Sequence, residues 1–331
     1  MSLPFVLLTH TLPSDWIALL EGRVHAITGP LDATALAPEL EAHLAEAEGL
    51  FCLLTIPVCK ELLDRMPRLR VVSNMAVGVD NVDVTECTRR RIPVGNTPGV
   101  LTDATADLTM SLLLAAARRL SESAGDARLG RWKTWSPTGW LGADLRGATL
   151  GIVGLGKIGR AVAERARGFG MKIVFYDPNA GVVQGAKQLS FDELLRQSDF
   201  VSLHCPLTVE TRGLINESAL EKMKPDAILV NAARGPVVDT TALTRALAEG
   251  RLFAAALDVT DPEPLPSDHP LYSLPNCLIV PHIGSATRGT RRRMAEMACE
   301  NLLAGLEGRK LPYCVNPEVY EEPVSSKETG S

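Results

Sequence analysis

The sequence predicts an α/β chain built on two doubly wound parallel sheets, and three observations carry that expectation. Short apolar runs alternate with helical patterns along nearly all of the 331 residues. A glycine-rich turn, Gly154-Leu155-Gly156-Lys157-Ile158-Gly159, joins one such run to a helical stretch. Three polar residues, Arg234, Glu263 and His282, each stand just past the end of a later run. Strands joined through helices pair parallel, because a parallel pair needs a crossover between its members.

Taken in order, PFVLLTH (4–10), VHAIT (24–28), LFCLLTI (50–56), LRVVSNMA (69–76) and IPVGNT (92–97) read as strands of a first block. They are short, rich in Val, Ile and Leu, and bounded by turn residues. Between them APELEAHLAEAEG (37–49) is the clearest helical pattern. A second block begins near Pro98 with a strong helix over 102–120, which Thr102 or Asp103 can cap. After a Trp-rich loop come ATLGIVGLGKIG (148–159), a strand turning into a helix, then KIVFYD (172–177) and FVSLHCPL (200–207). AILVNAA (227–233), LFAAALDV (252–259) and CLIVP (277–281) complete six strands, as expected of a doubly wound dinucleotide fold. A helical pattern from Thr287 to about Gly305 is expected to cross back to the first block. The predicted domains are therefore residues 1–98 with 288–318, a discontinuous domain, and residues 99–287. The polar tail, 319–331, is expected to be disordered.

Composition bounds the function. Hydrophobic residues make up 46% and charged residues 22%, the balance of a globular enzyme. A net charge of −5 and a pI of about 5.8 point away from nucleic acid. Arg288, Arg291, Arg292 and Arg293 form the one basic cluster, read as a solvated or intersubunit face. Seven scattered cysteines without a CxxC fit a reducing compartment rather than a disulfide framework or a zinc site. The N-terminus lacks the charged start of a signal peptide, and no apolar stretch approaches the roughly 18 residues of a membrane span. A cytoplasmic protein that needs no metal is expected.

The glycine turn has the context that gives such a motif meaning, a strand before it and a helix after it. The first glycine allows the tight turn, the second lets a pyrophosphate approach the backbone, and the third lets helix and strand pack closely. Asp177 ends the next strand, where a carboxylate can accept hydrogen bonds from the ribose hydroxyls of an adenine nucleotide. Pro178, Asn179 and Ala180 offer no cation for a 2′-phosphate, so NAD is expected over NADP.

If the last three strands are parallel neighbours, Arg234, Glu263 and His282 gather at the carboxyl edge of one sheet, where open α/β sheets bind ligands. Hydride transfer to a carbonyl needs a hydride at its carbon and a proton at its oxygen. His282 can supply the proton near neutral pH. Glu263 would orient the ring, and Arg234 offers a planar fork for carboxylate and carbonyl oxygens. His204, also at a strand end, reads as a packing residue or a wall of the cofactor site. Trp132, Trp135 and Trp140 read either as core or as an interface.

The motifs NMAVGVDNVD (74–83), GIVGLGKIG (151–159), SLHCPLTVETRGLI (202–215), LVNAARGPVVD (229–239), ALDVTDPEPLP (256–266) and LIVPHIGSAT (278–287) occur in this order. Through them, residues 4 to 316 resemble the D-isomer-specific 2-hydroxyacid dehydrogenases, and within that family the glyoxylate/hydroxypyruvate reductases. The resemblance implies a flavodoxin-like substrate domain, a Rossmann NAD domain, an active site in the cleft between them, and a homodimer formed through the cofactor domain. It implies that Arg234 binds substrate, that Glu263 orients the histidine and that His282 is the general acid/base. It further implies that the backbone at Val77 and Gly78 grips the substrate carboxylate and that Asp258 lies near the nicotinamide carboxamide. Thr105 is implied as a phosphate contact, and Pro206, Thr211, Ala232 and Gly284 as lining the cofactor with the glycine turn. Val77 stands where the similar phosphite dehydrogenases carry lysine, and Glu263 where formate dehydrogenases carry glutamine. A D-lactate-type or phosphite activity and an NAD-sensing corepressor remain as alternatives.

Overall fold

All pairings between strands are parallel in the computed structural model, which describes residues 2–181 and 183–321. The chain forms two units, one running to Leu101 and resuming at Thr287, the other Thr102–Ala286.

In the first unit β1 (Phe5–Leu8), β2 (His25–Thr28), α1 (Pro38–Glu41), β3 (Gly49–Cys52), α2 (Lys60–Asp64), β4 (Val71–Asn74), α3 (Val84–Arg89) and β5 (Val94–Gly95) alternate. The sheet order is β2-β1-β3-β4-β5. β3 and β4 are buried throughout, as strands covered on both faces must be. The expected 37–49 helix is cut short. Leu40, Leu44 and Ala47 keep their buried helical spacing, but a 3-10 turn at Leu44–Glu46 replaces the α-helix as the chain tightens into β3.

The second unit runs α4 (Thr102–Ala117), α5 (Leu120–Arg128), β6 (Thr149–Val153), α6 (Lys157–Gly168), β7 (Lys172–Tyr176), β8 (Lys187–Gln188), α7 (Phe191–Gln197), β9 (Phe200–Leu203), α8 (Glu217–Lys222), β10 (Ile228–Asn231), α9 (Thr240–Ala248), β11 (Ala254–Leu257) and β12 (Cys277–Ile279). Its sheet order is β12-β11-β10-β9-β6-β7-β8. Leu112, Leu113, Val162 and Ala166 of α4 and α6 cover one face; Leu194, Leu195, Leu220 and Leu243 of α7, α8 and α9 cover the other. The two-residue β8 is a seventh strand where six were expected, too short and exposed to show an apolar pattern. The helix expected over 102–120 stops at Ala117, because Arg119 takes φ +50° and the chain restarts as α5.

The final helix, α10 (Arg288–Leu306), is capped by the Thr287 side chain, which accepts from the Thr290 amide at 3.1 Å. It packs on β3 and β4 of the first unit, where Ser73 Oγ donates to the Ala298 carbonyl at 2.7 Å. The expectation of disorder from residue 319 needs correction. Val319 is buried, and the Tyr320 hydroxyl accepts from the Leu311 amide at 2.9 Å, so apolar and hydrogen-bonded contacts hold this turn. Residues 322–331 of the expected tail lie outside the described residues. Trp132 and Trp135 are exposed at 63% and 80%, which removes the core reading for both. Trp140 is half-buried and donates from Nε1 to Asp126 at 3.0 Å. No helix among the described residues is long and apolar enough to cross a membrane.

Candidate dinucleotide and acid–base site

Register sets the geometry of the site. The last residues of six strands of the second unit pair across the sheet: Tyr176 with Val153, Val153 with Leu203, Leu203 with Asn231, Asn231 with Leu257, and Leu257 with Ile279. Six loops therefore leave the carboxyl edge at one level. Strand order reverses at β6, between the branch toward β7 and the branch beginning at β9, and such a switch point opens a ligand crevice.

The glycine turn leaves β6 at this point. Gly154 takes φ +91°, and a Cβ there would come within 2.6 Å of the Cys205 amide nitrogen, so only glycine fits. Gly156 is the N-cap of the twelve-residue α6, followed by Lys157, Ile158 and Gly159; nothing lies within 4 Å of where its Cβ would be. Bare backbone facing open space at the start of a helix suits a pyrophosphate, which the amide dipoles attract. Asp177 follows β7. Its Oδ2 accepts from the Leu155 amide at 2.7 Å and its Oδ1 from the Asn179 amide at 2.8 Å. Each oxygen keeps a lone pair for a ribose hydroxyl. These residues fit an adenine dinucleotide.

The ring of His204, after β9, bonds through Nε2 to Ser202 Oγ at 2.8 Å, while Nδ1 is buried without a partner among the described residues. The residue as a whole keeps some surface, but this nitrogen has none, and burial depresses the ring to about 4. Further along, Thr211 Oγ1 donates to the Pro206 carbonyl at 2.7 Å and closes the turn that carries both.

The candidate acid–base pair sits at the other end of the edge. Past β10, Asn231 holds the turn: its Oδ1 accepts from Ala233 N at 3.0 Å, its Nδ2 donates to Arg234 O at 2.9 Å, and Ala232 lies between. Gly235 lies so close to the loop after β11 that an added Cβ would stand 1.8 Å from Thr260 O. That contact brings the Arg234 turn alongside the loop bearing Glu263. In this loop Thr260 N donates to Glu263 Oε2 at 3.4 Å and Thr260 Oγ1 to Pro262 O at 2.8 Å. Past β12, His282 takes φ +49°, its amide donating to Asp258 O at 2.9 Å, and its Nδ1 meets Glu263 Oε1 at 2.5 Å. Burial alone would raise the Glu263 carboxyl. The bond and charge of His282, with help from Arg234, outweigh burial and leave it below the usual carboxylate range.

Asp258 is almost fully buried just past β11. Its two oxygens accept from Ile283 N at 2.6 Å and Gly284 N at 2.9 Å, yet burial still raises its carboxyl. Thr105 of α4 donates to Gly284 O at 3.3 Å, so Thr105, Asp258 and Gly284 form one cluster. Sequence reasoning did not single out Asn231, Gly235 or Thr260. The signal for the first two was the strand-ending Asn and the Arg-Gly pair in NAARG.

Val77 and Gly78 belong to the first unit, in the loop after β4, and are half-buried there.

Residues 110–284 match the family model described as "D-isomer specific 2-hydroxyacid dehydrogenase, NAD binding domain". A glyoxylate reductase of Thermococcus litoralis is 47% identical over 326 residues, covering 96% of this chain and 98% of its own. Among solved structures, a protein of Thermus thermophilus superposes with a TM-score of 0.89 at 50% identity, covering 94% of this chain and 99% of its own. A D-lactate dehydrogenase of Aquifex aeolicus, in complex with NAD and lactic acid, gives a TM-score of 0.83 at 29% identity, covering 94% and 99%.

Proposed function

The chain belongs to the D-isomer-specific 2-hydroxyacid dehydrogenases, and from that premise we propose that it reduces glyoxylate or hydroxypyruvate with NADH. The observation that carries this reading is the Glu263–His282 pair beside Arg234, at the carboxyl ends of three adjacent parallel strands. The bound nicotinamide supplies the hydride.

Glu263 accepts from His282 Nδ1, which leaves Nε2 to give a proton to the carbonyl oxygen in reduction and to take one from the hydroxyl in oxidation. The lowered carboxyl of Glu263 stays ionised near neutral pH and fixes the ring's orientation through its Nδ1. Arg234 polarises the carbonyl and binds the carboxylate; in the first unit, the backbone at Val77 and Gly78 is read as substrate-binding. Gly154, Gly156, Lys157, Ile158 and Gly159 hold the pyrophosphate and Asp177 the adenine ribose. Thr105, Pro206, Thr211, Ala232, Asp258 and Gly284 line the remaining cofactor, with Asp258 toward the carboxamide. The carboxylate of Asp177 disfavours a 2′-phosphate, hence NADH over NADPH.

The first unit is read as the substrate domain, the second as the cofactor domain. The exposed Leu129, Trp132, Trp135 and Leu141 support a homodimer through the second unit. Seven free cysteines support a cytoplasmic location. The test is a panel of 2-oxo acids assayed with NADH and NADPH, with phosphite and formate in the reverse direction. Turnover of glyoxylate or hydroxypyruvate with NADH is expected. Binding of NADH without turnover of any 2-oxo acid would leave a sensor in place of an enzyme.

A further inference from the structure

The loop after β4, in the first unit, is held through its backbone carbonyls. Three successive carbonyls are anchored there. Ala76 O accepts from the Thr97 amide at 2.9 Å, Val77 O from Asn96 Nδ2 at 2.9 Å, and Gly78 O from Asn74 Nδ2 at 3.0 Å. The amides of Val77, Gly78 and Val79 have no hydrogen-bond partner among the described residues, and these three residues are half-buried. In a trans peptide the carbonyl and the following N–H point in opposite directions. Anchoring the carbonyls of 76, 77 and 78 therefore fixes the planes of the peptides that carry the amides of 77, 78 and 79, each amide pointing away from the donor that holds its carbonyl. Successive amides left without a protein partner are the groups through which a backbone can receive an anion.

From this geometry we infer that Asn96 and Asn74 are positioning residues for the carboxylate of the 2-oxo acid, an inference that rests on the proposed reductase reading. Asn96 sets the plane carrying the Gly78 amide, and Asn74 the plane carrying the Val79 amide. Both are backed in turn. Asn301 of α10 donates from Nδ2 to Asn96 O at 3.0 Å. Asn74 also donates to Asn81 Oδ1 at 3.1 Å, and Asn81 Nδ2 reaches Leu53 O at 3.2 Å and Ile56 O at 3.0 Å, tying in the loop after β3. Every member of this relay is an amide rather than a charged group.

Asn96 is the residue to change, because it is half-buried whereas Asn74 is fully buried. For Asn96→Ala, the KM for glyoxylate and the inhibition constant of oxamate should each rise about tenfold, with kcat changing far less. Its affinity for NADH and its melting temperature should stay near the parent's. Parent-like values for KM and for oxamate would overturn the inference. So would an equal loss of NADH affinity, which marks general loosening. If the alanine variant does not fold, Asn96→Ser, too short to reach Val77 O, decides by the same measurements. A parent that turns over no 2-oxo acid removes the reductase reading, while oxamate affinity, measured calorimetrically on parent and variant, still judges the Asn96 anchor. A parent that does neither overturns both.

Discussion

The proton transfer proposed for His282 would rely on a ring held by a short bond to Glu263. His282→Ala should lower kcat by roughly 10²–10⁴ while NADH still binds, as stopped-flow hydride transfer and fluorescence titration would read. Unchanged turnover would take histidine out of the mechanism. Asp177 acts twice: it would meet the ribose, and it already braces the glycine turn through the Leu155 amide. Asp177→Ala should therefore weaken NADH by about tenfold and bring NADPH closer to parity, measured as the ratio of kcat/KM for the two cofactors. A parent that already prefers NADPH would contradict this role. His204 carries a pH signature. Its ring is held down to about 4 by burial, against an ordinary 6.5, so the unfolded chain binds the extra proton between those values. Stability is then full above about pH 6.5 and falls, by up to roughly 3 kcal/mol, as pH drops toward 4. Denaturant unfolding of parent and His204→Gln across this window should show a shallower slope in the variant.

Between elements, the shared level of six strand ends turns separate residues into one site, and Gly235 is the tightest joint in it. A Cβ against Thr260 O would force the Arg234 turn and the Glu263 loop apart. Gly235→Ala should destabilise by more than about 2 kcal/mol and cut kcat/KM more than it cuts NADH affinity, in thermal melts and steady-state assays. Much of this scale was legible beforehand. The runs ending near Asn231, Leu257 and Ile279 are apolar throughout because both faces of a parallel sheet are covered, so the sequence itself marks where they stop. The glycine turn was readable for a similar reason, since its backbone conformation and close contacts exclude side chains. What stayed hidden has no local pattern. β8 is two residues long, the 37–49 helix tightens only because β3 fixes where it must end, and Gly235 meets a residue 25 positions away. The asparagines behind the Val77–Gly78 loop are the same case: an amide in a strand-end sequence does not say which carbonyl it will reach.

For the molecule as a whole, the Trp-rich segment raises a question that no residue or strand answers. Leu129, Trp132, Trp135 and Leu141 are 67%, 63%, 80% and 60% exposed, and all four lie within thirteen residues of the second unit. Isolated exposed apolar residues are ordinary, but four large ones on one short segment are expected to form a contact surface. Tryptophan is costly to leave in water and is among the residues that dominate interfaces when a partner covers it. Burying two such rings in each of two copies would contribute several kcal/mol, at about 25 cal/mol per Å² of apolar surface. The segment between α5 and β6 is therefore expected to close against a second copy, as the family resemblance implied. Sedimentation should give a dimer for the parent. Trp132→Asp combined with Trp135→Asp should shift it to monomer while each unit keeps its own core and its far-UV circular dichroism. A parent that sediments as a monomer at micromolar concentration would leave this apolar cluster to some other partner.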